Sequence, residues 1–334
     1  MIFLYLLLLL VGFYALSKGS DFLVDGASNI AKRFGISPLV IGLTIVSFGT
    51  SAPELIVSLS SAIAGNGQIA VANVIGSNIL NILLILGICA LIKPLVVKSS
   101  TVWKEIPLAV VAPVAVLFLG FADLFRSGDI QNLFKTNPAQ ITGYLSNAQG
   151  IMLLIFFVIY MYYNFGLAKQ GKDSVEIEDH INTLTQTKSI WYILAGLAIM
   201  IVGGQASVYA AVELAKVFGI SDRIIGLTIV AIGTSLPELF TSIKATMKGE
   251  LDIAIGNVVG SNIFNIFFIL GISSIFGVLP LTSGELIDTL VAIFAAVVLF
   301  ASTFVIKKSQ IGKLEGIAML VFYCVYVGYL LFSK

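Results

Sequence analysis

Two short segments place a glutamate inside sequence that is otherwise apolar enough to lie in a lipid bilayer. The first segment runs from Gly49 through Thr50, Ser51 and Pro53 to Glu54. A carboxylate at membrane depth costs roughly 2.5 to 3.5 kcal/mol, so it is normally kept only where it faces a protein interior or a wet cavity. The nearby hydroxyls, and carbonyls freed because proline has no N–H, add oxygen atoms beside the acid. Clustered oxygens of this kind suit hard cations such as Ca2+ or Na+.

The same segment returns at residues 233–238, ending at Glu238, as part of an internal repeat. At a fixed offset of 184 positions, residues 35–87 align without a gap with residues 219–271, and 30 of the 53 aligned pairs are identical. So many identities exceed what shared hydrophobicity can produce. A repeat of apolar segments that are interrupted at matching positions indicates a secondary transporter whose site lies between the two halves.

Each acid-bearing segment is followed by a second apolar segment with a polar face. Ser77 and Asn81 are four residues apart and share one face of a helix, and Ser261 and Asn265 repeat the pattern. If these faces meet the glutamates, the set supplies the about six to eight oxygens that Ca2+ prefers, or several smaller Na+ sites. The alternative is that these residues only hold helices together, at about 0.6 kcal/mol per contact. That alternative explains poorly a duplicated set around a duplicated acid.

The composition restricts the class of protein. Hydrophobic residues make up 58% of the chain and charged residues 11%, with a mean hydropathy of +1.03, which is far too apolar for a soluble domain. A net charge of +1 without a dense basic patch argues against nucleic acid as a partner. The chain has no H-E-x-x-H motif, and its single histidine, His180, lies outside the apolar segments, so an intramembrane enzyme is the weakest alternative. We expect a multi-pass membrane protein without a cofactor or an obligatory protein partner.

Apolar stretches long enough for the roughly 20 residues of a membrane span predict ten helices. They lie at about 2–31, 37–65, 68–92, 103–121, 149–167, 189–216, 221–248, 252–276, 285–306 and 311–332. Five fall in a first repeat (1–167) and five in a second (189–334), joined by a linker at 168–188. An odd number per half makes the second half enter the membrane from the opposite side. We therefore predict an all-α fold of ten transmembrane helices arranged as two inverted five-helix repeats.

The distribution of Lys and Arg predicts the orientation of the chain. If the N-terminus is outside, thirteen of these residues lie in inner loops and helix ends, against five on the outer side. This bias favours a plasma-membrane protein with both termini outside. Residues 122–148 then form an outer loop. The acidic linker lacks the spacing of a calcium-binding loop and is predicted to be a solvated connection.

The paired G-T-S-x-P-E and G-S-N-I-x-N segments resemble the two alpha-repeats of the sodium/calcium exchanger family, within the calcium/cation antiporter superfamily. The predicted ten-helix layout resembles that family along nearly the whole chain. The resemblance implies a calcium site formed by Glu54 and Glu238 with Thr50 and the main chain at Thr234. It also implies flanking sodium sites, formed by Ser51, Ser77 and the Ser47 carbonyl on one side and by Ser235, Ser261, Thr234 and the Ala231 carbonyl on the other, with Asn81 and Asn265 between them.

The chain departs from this family pattern at specific points. Ser47 has Ala231 as its repeat partner, which leaves a carbonyl role open to both. The position of Asn265 is Asp in some prokaryotic exchangers and in the potassium-dependent branch, which argues against potassium coupling. Neither half has the G-N-x-x-E core of proton/calcium exchangers, and the linker of about twenty residues is too short for a calcium-sensing domain.

We therefore expect an electrogenic antiporter of the prokaryotic type, which exchanges Na+ for Ca2+ by alternating access. An antiporter of the same fold that is coupled to protons or potassium is the alternative. An ion channel is a further alternative, and it predicts calcium flux without a counter-ion.

Overall fold

The structure is a computed structural model that describes residues 2–122, 125, 141–170, 184–218 and 231–332. Within these ranges, eight helices are long and apolar enough to cross a membrane, and one bent pair of helices could form a ninth span. The helices are α1 (Ile2–Phe34), α2 (Pro38–Thr50), α3 (Ala52–Ile63), α4 (Gly67–Ile92), α5 (Ser99–Gly120), α6 (Asn147–Gln170), α7 (Gln186–Val217), α8 (Ala231–Thr234), α9 (Leu236–Lys248), α10 (Leu251–Phe276), α11 (Ser283–Val305) and α12 (Lys313–Phe332).

Eight of the ten predicted spans coincide in order and approximate bounds with single long helices, and the predicted span at 37–65 is divided between α2 and α3. The remaining predicted span, at 221–248, is described only from Ala231 onward because its first part lies outside the described residues. Most of the predicted linker and of the predicted outer loop also lies outside them. The coarse architecture, an all-helical polytopic membrane protein, is confirmed.

Two helix breaks place the glutamates. Ser51 has φ −82° and ψ 9°, and Ser235 has φ −89° and ψ 8°, so neither residue continues the preceding helix. A proline follows two residues after each serine, in the first turn of the next helix, where its missing N–H leaves no hydrogen bond unmade. α2 and α3 meet at a bend of 49°. Glu54 and Glu238 therefore lie in the first turns of α3 and α9, where the helix dipole favours a negative charge.

In the part of the chain that the structure describes, segments of three helices have the wider π-helical turn. These segments are Gly42–Val46 in α2, Asn81–Leu86 in α4 and Asn265–Leu270 in α10. The last two begin at equivalent positions of the repeat. π turns are rare and are found frequently at functional sites, and both of these start at a candidate site residue.

The helices differ sharply in how much of their surface the protein covers. In their most apolar stretches, 72% of the residues of α4 and 83% of those of α10 are buried, against 17% in α6 and 22% in α12. α4 and α10 therefore form the centre of the bundle. α6 and α12 expose large apolar side chains at its periphery, as expected for helices that face lipid.

Glycines bring α2 and α10 into backbone contact. A Cβ atom on Gly256 would lie 2.7 Å from the Leu39 carbonyl oxygen, and one on Gly260 would lie 2.7 Å from the Leu43 carbonyl oxygen. Any larger side chain at these two positions would push the helices apart. The close approach is what brings the hydroxyl-bearing end of α2 against α10.

Two short antiparallel sheets connect the halves and were not predicted. β1 (Leu95–Val96) pairs with β4 (Gln310–Ile311), and β2 (Ile141–Leu145) pairs with β3 (Leu279–Thr282). Each pairing joins a strand of the first half to a strand of the second. Segments of two to five residues are too short to show the alternating pattern by which strands are recognised in a sequence.

Candidate cation-binding site

The two glutamates are bonded across the halves of the chain. Glu54 and Glu238 are both 0% exposed. The Ser51 hydroxyl donates to Glu238 Oε1 at 2.7 Å, and the Ser235 hydroxyl donates to Glu54 Oε1 at 2.9 Å. Each helix-break serine therefore contacts the acid of the opposite half. This reciprocity draws both carboxylates to the middle of the molecule.

Further hydroxyls surround the two acids. The Ser77 hydroxyl oxygen on α4 lies 3.0 Å from the Ser235 hydroxyl oxygen, within hydrogen-bond distance. The Ser261 hydroxyl on α10 lies 3.4 Å from Glu238 Oε1 and 3.5 Å from the Ser47 carbonyl oxygen. The contacts of Ser77 with Ser235 and of Ser261 with the Ser47 carbonyl cross between the halves, whereas the family resemblance groups Ser47, Ser51 and Ser77 on one side.

Two asparagines that sequence reasoning missed hold the acid-bearing helices in place. In the first half, Asn73 Nδ2 donates to the Glu54 carbonyl oxygen at 3.3 Å and to the Ser58 hydroxyl at 2.9 Å. Asn73 Oδ1 accepts from the Thr234 hydroxyl of the other half at 3.2 Å. The side chain therefore fixes the helix of one acid against the helix break of the other.

The second half repeats this arrangement. Asn257 Nδ2 donates to the Glu238 carbonyl oxygen at 3.4 Å and to the Ser242 hydroxyl at 3.0 Å, and Asn257 Oδ1 accepts from the Thr50 hydroxyl at 3.0 Å. A signal for both asparagines was present in the sequence, because positions 73 and 257 are an identical pair at the repeat offset.

Four amides join α4 to α10 beside the acids. Asn78 Nδ2 donates to the Asn262 carbonyl oxygen at 2.9 Å, and Asn262 Nδ2 donates to the Asn78 carbonyl oxygen at 3.2 Å. Asn81 Nδ2 donates to Asn262 Oδ1, and Asn265 Nδ2 donates to Asn78 Oδ1, both at 3.1 Å. We call this set the amide lock. It uses the donors of Asn81 and Asn265 and leaves their carbonyl oxygens available.

Four buried oxygens at this centre have no hydrogen-bond partner among the described residues. They are Glu54 Oε2, Glu238 Oε2, Asn81 Oδ1 and Asn265 Oδ1, two equivalent pairs. A buried acceptor without a partner is costly, and a buried carboxylate without a compensating charge is more so. Across the described part of the chain, the ion pairs involve other acids: Asp21, Asp25, Glu213, Glu250 and Asp252. Neither glutamate at this centre therefore has a cationic side chain as its partner in the part of the chain that the structure describes.

The side chains described at this centre are carboxylates, hydroxyls and amides. The described residues contain no group of three or more His, Cys, Asp and Glu side chains that could hold a metal ion. Two carboxylates surrounded by hydroxyl, amide and main-chain oxygens suit hard cations.

The structure brings the expected site residues together. Eleven of them are buried and joined by the contacts above: Ser47, Thr50, Ser51, Glu54, Ser77, Asn81, Thr234, Ser235, Glu238, Ser261 and Asn265. The twelfth, Ala231, is the first residue of α8, three residues before Thr234.

A polytopic helical fold in which interrupted helices surround buried oxygen ligands is the architecture of a secondary transporter. The family model described as "Sodium/calcium exchanger protein" matches residues 4–166 and 188–332. The chain therefore belongs to the sodium/calcium exchanger family, which confirms the resemblance noted in the sequence.

The chain is similar to individual relatives over 80% or more of their length. The chain is 33% identical over 341 residues to the sodium/calcium exchanger MaX1 of Methanosarcina acetivorans, covering 96% of this chain and 97% of MaX1. It is 39% identical over 287 residues to the inner membrane protein YrbG of Escherichia coli, covering 84% and 80%. A solved structure of the sodium-calcium exchanger NCX_Mj superposes with a TM-score of 0.82 at 31% identity, covering 99% of this chain and 100% of NCX_Mj.

Proposed function

We propose that this protein is an antiporter that exchanges Na+ for Ca2+ by alternating access at the site between Glu54 and Glu238. The ions are its substrates, and the lipid bilayer is its surroundings. We further propose ten membrane spans arranged as two inverted repeats. The resemblance to NCX_Mj across almost the whole chain supports this layout.

The observation that carries the proposal is the symmetric set of four buried oxygens without protein partners: Glu54 Oε2, Glu238 Oε2, Asn81 Oδ1 and Asn265 Oδ1. Two carboxylates carry two negative charges, which one Ca2+ or two Na+ neutralise. The nearby hydroxyls of Thr50, Ser51, Ser77, Ser235 and Ser261 can turn lone pairs toward an ion and complete the about six to eight oxygens that Ca2+ takes.

Competition for the same carboxylates is the proposed source of coupling. One Na+ neutralises only half of the charge of the two acids, so more than one must bind before Ca2+ is displaced. The dependence of transport on sodium is therefore expected to be steep, with a Hill coefficient above one. The names of MaX1 and NCX_Mj, both sodium/calcium exchangers, favour sodium over protons as the driving ion.

Calcium flux into proteoliposomes tests the proposal. Vesicles that contain the purified protein are loaded with NaCl, KCl or choline chloride and diluted into radiolabelled Ca2+ at fixed pH. Uptake that requires internal Na+ and rises steeply with its concentration is the expected result. Uptake driven by a pH gradient without Na+ would favour the proton-coupled alternative, and uptake only with K+ present would favour the potassium-coupled one. Uptake without any counter-ion would indicate a channel.

We propose that the protein lies in the cell membrane with both termini outside, on the basis of the Lys and Arg distribution. A cysteine introduced at Lys248, at the end of α9, would then react with a membrane-impermeant thiol reagent only from the inner side. Reaction from the outer side of intact cells would show that the orientation is the opposite of the one proposed.

A further inference from the structure

A cavity of about 440 Å3 lies between α7 and the two helix breaks. Its inner end is formed by Pro53, Thr234 and Pro237, which are immediate sequence neighbours of the two acids or of the helix-break serines. The cavity therefore ends beside the candidate cation site.

Polar side chains line this cavity along one face of α7. Gln205, Tyr209, Glu213 and Lys216 all contribute to its wall, at spacings of four, four and three residues, which places them on one side of a helix. Gln205 is an exposed amide partway along an otherwise apolar span, a position normally tolerated only beside water. Glu213 is eight residues further along, about 12 Å along the helix axis.

Glu213 is held at the outer part of the cavity. Its Oε1 accepts from Lys216 Nζ at 3.0 Å, and its Oε2 lies 3.5 Å from the Tyr5 hydroxyl of α1. The side chain is 27% exposed. The carboxylate is thus held between two helices and is partly exposed.

The cavity has room for a hydrated cation. Six waters at roughly 30 Å3 each occupy roughly 180 Å3, which is less than half of the available volume. Since the remaining wall is mainly aliphatic, including Ile56, Val57, Ile201, Val208 and Val212, the charge at Glu213 acts in a space with low-dielectric walls, where fields are focused.

The other end of α1 carries ion pairs. Lys244 lies 3.3 Å from Asp21, and Lys248 lies 2.7 Å from Asp25. Asp25 is 20 residues from Tyr5, about 30 Å along α1. The cavity and the ion pairs are therefore on opposite faces of the molecule.

We propose that Glu213 is a recruitment subsite, at which a Ca2+ or Na+ ion that keeps its hydration water is concentrated before it moves along Tyr209 and Gln205 to the site at Glu54 and Glu238. Lys216 sets the strength of this subsite by reducing its negative potential. This inference rests on the proposed function.

The test compares Glu213→Gln and Lys216→Gln with the unaltered protein in membrane vesicles of both orientations. Removing the carboxylate is expected to raise the apparent KM for Ca2+ about threefold at low ionic strength, in the orientation that exposes Glu213 to the added Ca2+. Removing the lysine is expected to lower the KM. Both shifts are expected to vanish at about 0.5 M choline chloride, because salt screens exposed charges, and the maximum rate is expected to stay unchanged.

Asp252→Asn is the matched control on the opposite face. Asp252 is also a partly exposed acid paired with a lysine, at 2.6 Å from Lys98 and 22% exposed, and its replacement is expected to leave the KM unchanged in the orientation that responds to Glu213.

The subsite is supported if Glu213→Gln raises the KM for Ca2+, Lys216→Gln lowers it, and both shifts disappear at high salt concentration. If the unaltered protein exchanges Na+ for Ca2+ but both substitutions leave the KM unchanged or shift it in the same direction, the subsite is wrong and the proposed function stands. If the unaltered protein shows no sodium-driven uptake, the proposed function fails and the subsite with it.

Discussion

The two halves of the chain make equivalent contacts at the centre of the molecule and different ones at its two faces. At the centre, Ser51 bonds Glu238 as Ser235 bonds Glu54. At one face a cavity reaches Glu213, and at the other Lys248 pairs with Asp25. The symmetric part is the one that would bind the ion, which must be treated alike from both sides. The asymmetric part is where the proposed recruitment subsite at Glu213 lies.

The largest expected effect tests the symmetry of the acids. Glu54→Ala and Glu238→Ala are each expected to reduce sodium-driven calcium uptake to below about a tenth of the uptake by the unaltered protein. The reason is that the one remaining carboxylate supplies only half of the negative charge that replaces the hydration shell of Ca2+. Uptake into proteoliposomes measures this. Asp252→Asn, a paired acid at the surface, should retain full activity. A loss in only one of the two variants would show that the halves contribute unequally.

Removing an asparagine of the amide lock is expected to lower the stability of the protein equally, whichever half the asparagine belongs to. Asn78→Ala and Asn262→Ala each remove two side-chain hydrogen bonds and leave buried partners unsatisfied. Each is expected to destabilise the protein by about 1–3 kcal/mol, measured as a fall in the thermal unfolding temperature of the purified protein in detergent.

Asn66→Ala is the control for the lock, because Asn66 is exposed and makes no side-chain capping bond at the start of α4. It should change stability by less than about 0.5 kcal/mol. If Asn66→Ala and Asn78→Ala lower the stability by similar amounts, the amide lock does not contribute specifically to stability.

Potassium dependence tests the charge of the centre. With asparagine at both 81 and 265, the two glutamates supply the whole negative charge, so uptake is expected to need no potassium. Asn265→Asp adds a third charge to a buried site, where an uncompensated charge is costly, and should slow exchange several-fold unless a further monovalent cation is supplied. If the two halves are equivalent, Asn81→Asp should slow exchange to the same extent as Asn265→Asp. An unaltered protein that is inactive without potassium would contradict this.

The smallest expected effect concerns the site position at which the halves differ. Ser47→Ala gives the first half the residue found at 231. The Ser47 hydroxyl bonds the Leu43 carbonyl of its own helix at 2.9 Å, so its loss should change the sodium dependence less than about twofold, within the range of a neutral substitution. Ser51→Ala, which removes a bond to Glu238, should change it more. Equal effects would mean that the Ser47 side chain itself contacts the ion.

The sequence predicted the residues of the candidate site better than their partners. Proline and glycine mark the helix breaks, and the repeat identifies which polar residues belong together. The sequence places Ser51 beside Glu54, three residues away, whereas the structure bonds Ser51 to Glu238. The pairing of Ser51 with the glutamate of the other half depends on how α2 packs against α10. A local sequence pattern carries no information about that packing.

The π turns were also beyond sequence reasoning. α4 and α10 are buried on nearly all sides, so their apolar residues show no one-sided period from which an extra residue in a turn could be read. The repeat did identify Asn81 and Asn265, where two of these turns begin, as equivalent positions.

The reciprocal bonds of the centre have the form of an isologous interface, in which one patch meets a copy of itself and each contact occurs twice. Neither half alone can complete the surroundings of its own glutamate, since each glutamate accepts a hydrogen bond from the helix-break serine of the other half. The core of this chain is therefore equivalent to a two-fold dimer whose subunits are joined into one polypeptide. Because the two halves are parts of one polypeptide, they do not have to associate as separate subunits in the membrane. Their contact is intramolecular and occurs at a high effective concentration.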